Sequence, residues 1–314
     1  MTLLAYSITI VGAGGVGGLL GAQLIRKYGS MVSFIARGIR LHELRQAGLT
    51  IRSELYGNYT VYPNFVTSES TDLPVQDIVL VCVKNPDIAA TAQQIFPIVS
   101  EDTTVITLAN GITSGGVLRR ALPEPHILSG VIYTVSALSQ DGCIHQQGKF
   151  TRLIIGAEGG FKDTEKALIV AELFTSAGIE CRVSETIQTD IWEKYVFNCA
   201  YNVATARWLC CAGDIKSSPE RMRDFRSLLE EAFRVGTACG IELPDNTVEV
   251  GVNRLLHTGG TSSSSLMRDF SGGRPGELDS FSGELLRLAE KHHVPVPITA
   301  TYDRALRANI CNRK

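Results

Sequence analysis

The chain has 314 residues, 44% hydrophobic and 20% charged, with a net charge of −2 at neutral pH. That length suits two domains better than one core, and the near-neutral balance supplies no basic footprint for nucleic acid. No run approaches the ~18 consecutive apolar residues of a membrane span.

Residues 1–20 lack a basic n-region and their apolar run is broken by glycines, so a secretory signal is not expected. Eight cysteines (82, 143, 181, 199, 210, 211, 239 and 311) show no C-x-x-C or His-paired spacing. They read as reduced thiols of a cytoplasmic protein, with no metal site implied.

The first predicted strand, Ile8-Thr9-Ile10-Val11, runs directly into Gly12-Ala13-Gly14-Gly15-Val16-Gly17. A β-branched strand followed by G-x-G-x-x-G and an apolar helix is the pattern that seats a dinucleotide pyrophosphate on a helix N-terminus. Gly12 allows the tight turn, Gly14 lets backbone approach phosphate, and Gly17 permits close packing of the helix on the strand. The next strand, Val32–Ala36, ends at Arg37, with Arg40 beyond it. An NAD-binding unit places an acid there for the ribose hydroxyls. A guanidinium instead suits a 2′-phosphate, so NADP(H) is the expected cofactor; the bland alternative is a solvated surface arginine.

A helix over 41–48 follows, then short strands near 49–52 and 61–62. The apolar run Asp77–Val83 is expected to be a buried parallel strand, with Lys84 at its end. Lys84 either faces cofactor phosphate or ends the strand in solvent. Helix 88–95 and strand 104–108 lead to Asn110-Gly111, which sits at the carboxyl edge of the sheet where ligands bind but is also a common turn. Strands near 127–135 and 152–156, helix 162–176 and strand 179–183 complete a series that predicts a doubly wound parallel sheet.

From Thr189 the pattern becomes helical, after a linker near 184–188, with helices expected at 190–208, 221–239, 283–291 and 299–309. Thr189 or Asp190 is the expected N-cap of the first. The Ser-rich stretch 258–265 reads as a flexible loop. Lys194, Asn198 and Asn202 fall at i, i+4 and i+8 on an otherwise apolar helix, so they share one stripe. A buried lysine has its pKa lowered, as a proton donor near neutrality requires; the alternative is a lysine that reaches solvent while the asparagines bond to backbone. Glu277 and Asp279 after Pro275 could be no more than first-turn acids, and Cys199, Cys210 and Cys211 read as core thiols.

Taken together these motifs resemble the ketopantoate reductases (2-dehydropantoate 2-reductases) of the 6-phosphogluconate-dehydrogenase-like superfamily. The resemblance spans nearly the whole chain: Gly12-x-Gly14-x-x-Gly17, Val83-Lys84, Asn110-Gly111, Lys194-x-x-x-Asn198-x-x-x-Asn202, and Ser264-Ser265-Leu266-Met267-x-Asp269 leading to Gly273-Arg274-Pro275-x-Glu277-x-Asp279. It implies an α/β Rossmann-type NADP-binding domain over residues 1–186 and an all-helical substrate domain over 187–314. It also implies that Lys194 protonates the ketone oxygen as hydride arrives from NADPH. Asn198, Asn202, Ser265 and Glu277 would hold the substrate, Ser265 at its carboxylate and Glu277 at its terminal hydroxyl. Asn110 would lie between nicotinamide and substrate, and Arg37 and Lys84 would hold the 2′-phosphate.

Two departures stand out. Cys210-Cys211-Ala212-Gly213-Asp214 replaces a family turn that often carries a further asparagine, and Gly276 stands where threonine is usual. The expected activity is reduction of ketopantoate to pantoate, a small-molecule 2-oxo acid reaction on the route to pantothenate and coenzyme A. A homodimer is compatible with this reading. The alternatives are a paralogue acting on another 2-oxo acid, or an NADPH-sensing regulator without catalysis.

Overall fold

Runs of β-branched residues form the centre of a ten-stranded sheet in the computed structural model, which describes residues 6–123, 125–158, 161–274 and 276–311. Pro275, residues 1–5 and the side chain of Cys311 lie outside the described set. The chain divides into two compact units, Met1–Ile187 and Gln188–Lys314.

In chain order the first unit contains β1 (Ile8–Val11), α1 (Gly15–Tyr28), β2 (Val32–Ile35), α2 (Gly38–Gln46), β3 (Leu49–Ser53), β4 (Gly57–Val61), β5 (Phe65–Thr67) and β6 (Ile78–Val81). There follow α3 (Ile88–Ile95), β7 (Thr104–Thr107), α4 (Ser114–Ala121), β8 (His126–Leu138), β9 (Ile144–Ala157), α5 (Phe161–Ser176) and β10 (Glu180–Val183). The strand order is β4-β3-β9-β8-β7-β6-β1-β2-β5, with β10 on β9. Strands β1, β2, β6 and β7 are buried along their whole length and pair in parallel. Burial on both faces explains their continuous apolar sequences. One face carries Leu19, Leu20 and Leu24 of α1 with Phe174 of α5; the other carries Ile88 and Ile95 of α3 with Leu118 of α4. Strand order reverses at β1, between β2 and β6, which opens a crevice at the carboxyl ends of these strands.

The sheet is mixed rather than wholly parallel. β8 and β9 form a long antiparallel hairpin, and β3 and β4 a shorter one. The physical cause is a tight turn at Ser139–Cys143: the Ser139 N–H donates to the Cys143 carbonyl at 2.9 Å, and Gly142 adopts a φ of +77°. Asp141-Gly142 is a hairpin signal that the series of expected parallel strands passes over.

The described part of the second unit is helical: α6 (Ile187–Trp208), α7 (Ala212–Lys216), α8 (Pro219–Ala238), α9 (Thr247–His257), α10 (Ser265–Ser271), α11 (Ser282–Lys291) and α12 (Pro297–Cys311). Tyr195, Val196, Cys199, Ala200, Val203 and Ala204 bury α6 in the core. This helix begins at Ile187, so Asp190 lies in its first turn instead of capping it; buried Ile187 extends the apolar stripe back past the expected start. The Ser-rich stretch is tied down. The Ser262 carbonyl accepts from Ala212 N–H and the Tyr201 hydroxyl, and the Gly260 carbonyl accepts from Gly213 N–H. Among the described residues no helix is long and apolar enough to cross a membrane.

Candidate active site

The first unit carries a candidate cofactor site made largely of backbone. Gly12 leaves β1 with a φ of +97°, where a Cβ would stand 3.0 Å from the Cys82 carbonyl oxygen. At Gly17 a Cβ would collide with the Gly12 carbonyl, so α1 packs against the turn as closely as glycine allows. A Cβ on Gly15 would lie 2.6 Å from the Ser136 carbonyl of β8, a constraint the motif itself does not disclose. Gly14 differs: a Cβ there would meet nothing within 4 Å, so its surroundings are open. Gly14 is the N-cap of α1, with no side-chain cap and no acid in the first turn. Val16 packs against the core and Ala13 is buried.

Beside this turn lies a cleft of about 270 Å³ lined by Gly12, Ala13, Gly14, Ile35, Ala36, Arg37, Arg40, Val83, Gln94 and Leu138, among others. Arg37 is exposed at the N-cap of α2. Lys84 is exposed next to Val83, its carbonyl accepting from Asp87 N–H at 2.9 Å. Asn110 is half-buried past β7, followed by Gly111 at a φ of +100°. Open backbone at Gly14 with Arg37 beside it fits the phosphates of a dinucleotide.

The second unit carries its own cluster of candidate side chains. Lys194 is partly buried on α6, and its ammonium is pushed down to about 8, first by desolvation and then by the Arg254 guanidinium, with the Glu277 carboxylate pulling the other way. Glu277 is 7% exposed and its carbonyl accepts from Ser280 N–H at 3.0 Å. Arg254, on α9, lies over the Phe197 ring at 4.3 Å, one turn along α6 from Lys194. Sequence reasoning missed Arg254, because a cation on a helix with no local motif looks like solvated surface.

Asn202 and Ser265 meet directly. The Ser265 hydroxyl and the Leu266 N–H both donate to Asn202 Oδ1 at 3.2 Å, and Asn202 Nδ2 donates to the Asn198 carbonyl at 2.8 Å. Asn202 is 5% exposed, so most of its capacity goes into holding the start of α10. Asn198 is half-buried and Ser265 exposed. Ser264 caps α10, accepting from Met267 N–H at 3.0 Å, and Arg274 Nε donates to Asp269 at 2.9 Å. The part of the motif from 264 to 274 is therefore largely a frame around the start of α10, where Ser265 is exposed. Gly276 also gains a reason. Its φ is +59°, and a Cβ would stand 2.7 Å from Leu266 Cδ1, so a side chain there would be both strained and crowded.

Residues 8–159 match the family model described as ketopantoate reductase PanE/ApbA, and residues 186–309 match the C-terminal model of the same family. An uncharacterized oxidoreductase of Bacillus subtilis, YkpB, is 27% identical over 93% of this chain and 95% of its own length. A 2-dehydropantoate 2-reductase of Mesorhizobium japonicum is 25% identical, covering 92% of this chain and 93% of its own. The crystal structure of a PanE/ApbA family ketopantoate reductase from Ralstonia eutropha superposes with a TM-score of 0.87 at 26% identity, over 98% of this chain and 99% of that one.

Proposed function

The chain belongs to the ketopantoate reductase family of oxidoreductases, and from that premise we propose that it reduces 2-dehydropantoate to pantoate with NADPH, a cytoplasmic step towards pantothenate and coenzyme A. The observation that carries this reading is Lys194, a lysine whose pKa burial and Arg254 lower to about 8 beside a buried carboxylate. NADPH, when bound, supplies the hydride that reduces the ketone carbon. Lys194 Nζ gives its proton to the ketone oxygen, so that the developing alkoxide is neutralised as it forms. A pKa near 8 keeps the ammonium charged at neutral pH yet makes it a readier donor than an unburied lysine.

Glu277 accepts from the substrate's terminal hydroxyl and holds the Lys194 ammonium in place. The Ser265 hydroxyl and Asn198 amide bind the substrate's polar groups. Asn202 assists them by fixing Ser265 and the start of α10. Arg37 and Lys84 take the 2′-phosphate, and Asn110 serves the nicotinamide end.

Loss of NADPH absorbance with purified protein and a panel of 2-oxo acids tests the proposal. Ketopantoate should show the highest kcat/KM; absence of turnover on every acid would refute it. A second reading, reduction of another 2-oxo acid, is favoured by residues 210–214. There Cys211 caps the short helix α7 and its N–H donates to the Asp214 carboxylate at 2.8 Å, leaving no asparagine to face a ligand. The same panel decides between the two. Assembly as a homodimer is part of the proposal, and light scattering at working concentration checks it.

A further inference from the structure

Arg40 is not implied by the family resemblance, yet three segments of the first unit meet on it. Its Nε donates to the Ala13 carbonyl at 3.0 Å, and its Nη1 donates to the Gly142 carbonyl and to the Glu43 carboxylate, both at 2.9 Å. The glycine turn, helix α2 and the tip of the β8–β9 hairpin are thereby joined through one guanidinium. The side chain is 12% exposed and lines the same cleft as Gly12, Gly14 and Arg37.

We propose that Arg40 is a positioning residue of the dinucleotide site: by holding the Ala13 carbonyl it sets the orientation of the Ala13–Gly14 peptide, and with it the amide donors that receive a pyrophosphate. In a planar trans peptide the C=O and N–H point in opposite directions. With the Ala13 oxygen drawn to Arg40, the Gly14 N–H is turned away from the guanidinium. Gly14 opens α1 and has open space around it, so the positive end of the helix is left for an anion. Were this peptide to rotate, its carbonyl oxygen would replace the N–H and repel the phosphates.

The Gly142 contact ties the guanidinium to an ordered turn. The hairpin turn carries its own hydrogen bonds, from Ser139 N–H to the Cys143 carbonyl and from Gly142 N–H to the Ser139 carbonyl. A planar guanidinium presents in-plane donors to two carbonyls and a carboxylate at once, which an ammonium cannot match in geometry.

This inference rests on the dinucleotide reading of the cleft, and the experiment separates the two. Dissociation constants for NADPH and NADH are measured by cofactor fluorescence in the parent, R40M, R40K, E43Q and R37M, with Tm recorded for each. R40M should weaken both cofactors by about 10-fold or more, the loss of one charge-assisted contact. Its NADPH-to-NADH ratio should stay within about 2-fold of the parent, and kcat at saturating cofactor should be preserved. R40K should lose less, and E43Q, which keeps both carbonyl contacts, should bind almost as the parent does. R37M should instead change the ratio. If R40M does not fold, R40K carries the test, with both cofactors weakened by about 3-fold or more.

Unchanged affinities in folded R40M or R40K would overturn the inference. So would a loss confined to NADPH, which would make Arg40 a 2′-phosphate ligand through the two donors of Nη2, a buried nitrogen with no partner among the described residues. Failure of the parent to bind either dinucleotide would remove the reading of the cleft and Arg40's role together.

Discussion

The glycine turn after β1 and helix α6 handle polarity in opposite ways. The turn has no room for side chains at Gly12, Gly15 and Gly17, so what it offers a pyrophosphate is neutral backbone. Helix α6 holds a lysine partly out of water, and the desolvation cost appears as the lowered pKa of Lys194. A backbone site works at any pH, because amides do not titrate. A buried ammonium works only below its pKa, so pH sensitivity of catalysis should arise in the second unit and cofactor affinity in the first.

Substitution of Lys194 should separate these roles most sharply. Lys194→Ala is expected to lower kcat by about 10²–10⁴-fold, the range for loss of a general acid, with NADPH affinity measured by fluorescence unchanged. Equal loss of cofactor affinity would show that the two roles are not divided as described. Next in size, Arg37→Ala should reduce preference for NADPH over NADH by roughly 10–100-fold, equivalent to about 1–3 kcal/mol of charge-assisted hydrogen bonding. Parallel titrations of the two cofactors check this, and equal affinities in the parent would remove Arg37 from the 2′-phosphate site.

Glu277→Gln should raise KM for the 2-oxo acid by about 10-fold while changing kcat less. Because the carboxylate raises the Lys194 pKa, its removal should also move the alkaline limb of the rate profile downward. Arg254→Gln should have the smallest effect, with the opposite sign. The guanidinium depresses the Lys194 pKa, so without it the limb moves upward.

Much of the first unit was legible in the sequence, because strands buried on both faces have no polar alternation to confuse them: Ile8–Val11 and Ile78–Val81 are such runs. The β8–β9 hairpin was not, since its turn at Asp141-Gly142 joins strands whose outer halves mix exposed and buried residues. Helices α4, α7, α9 and α10 were also missed; α7 has only five residues, and α10 begins within a serine run. In the site, Lys194 was legible as a polar residue on an apolar helix. Arg40 was visible only as a neighbour of Arg37. Its partners Ala13 and Gly142 lie 27 and 102 residues away along the chain, beyond the reach of any local pattern. Glu277 lacked a periodic frame, and its burial depends on the packing of the 264–279 segment.

The most direct test of Lys194 as the proton donor is the pH dependence of kcat/KM for ketopantoate reduction with saturating NADPH. The donor must be protonated, and its pKa is about 8 rather than the ordinary 10.5. The rate should therefore hold through neutrality and fall tenfold per pH unit once above about 8. A profile that stays flat into the ordinary lysine range near 10.5 would contradict the assignment.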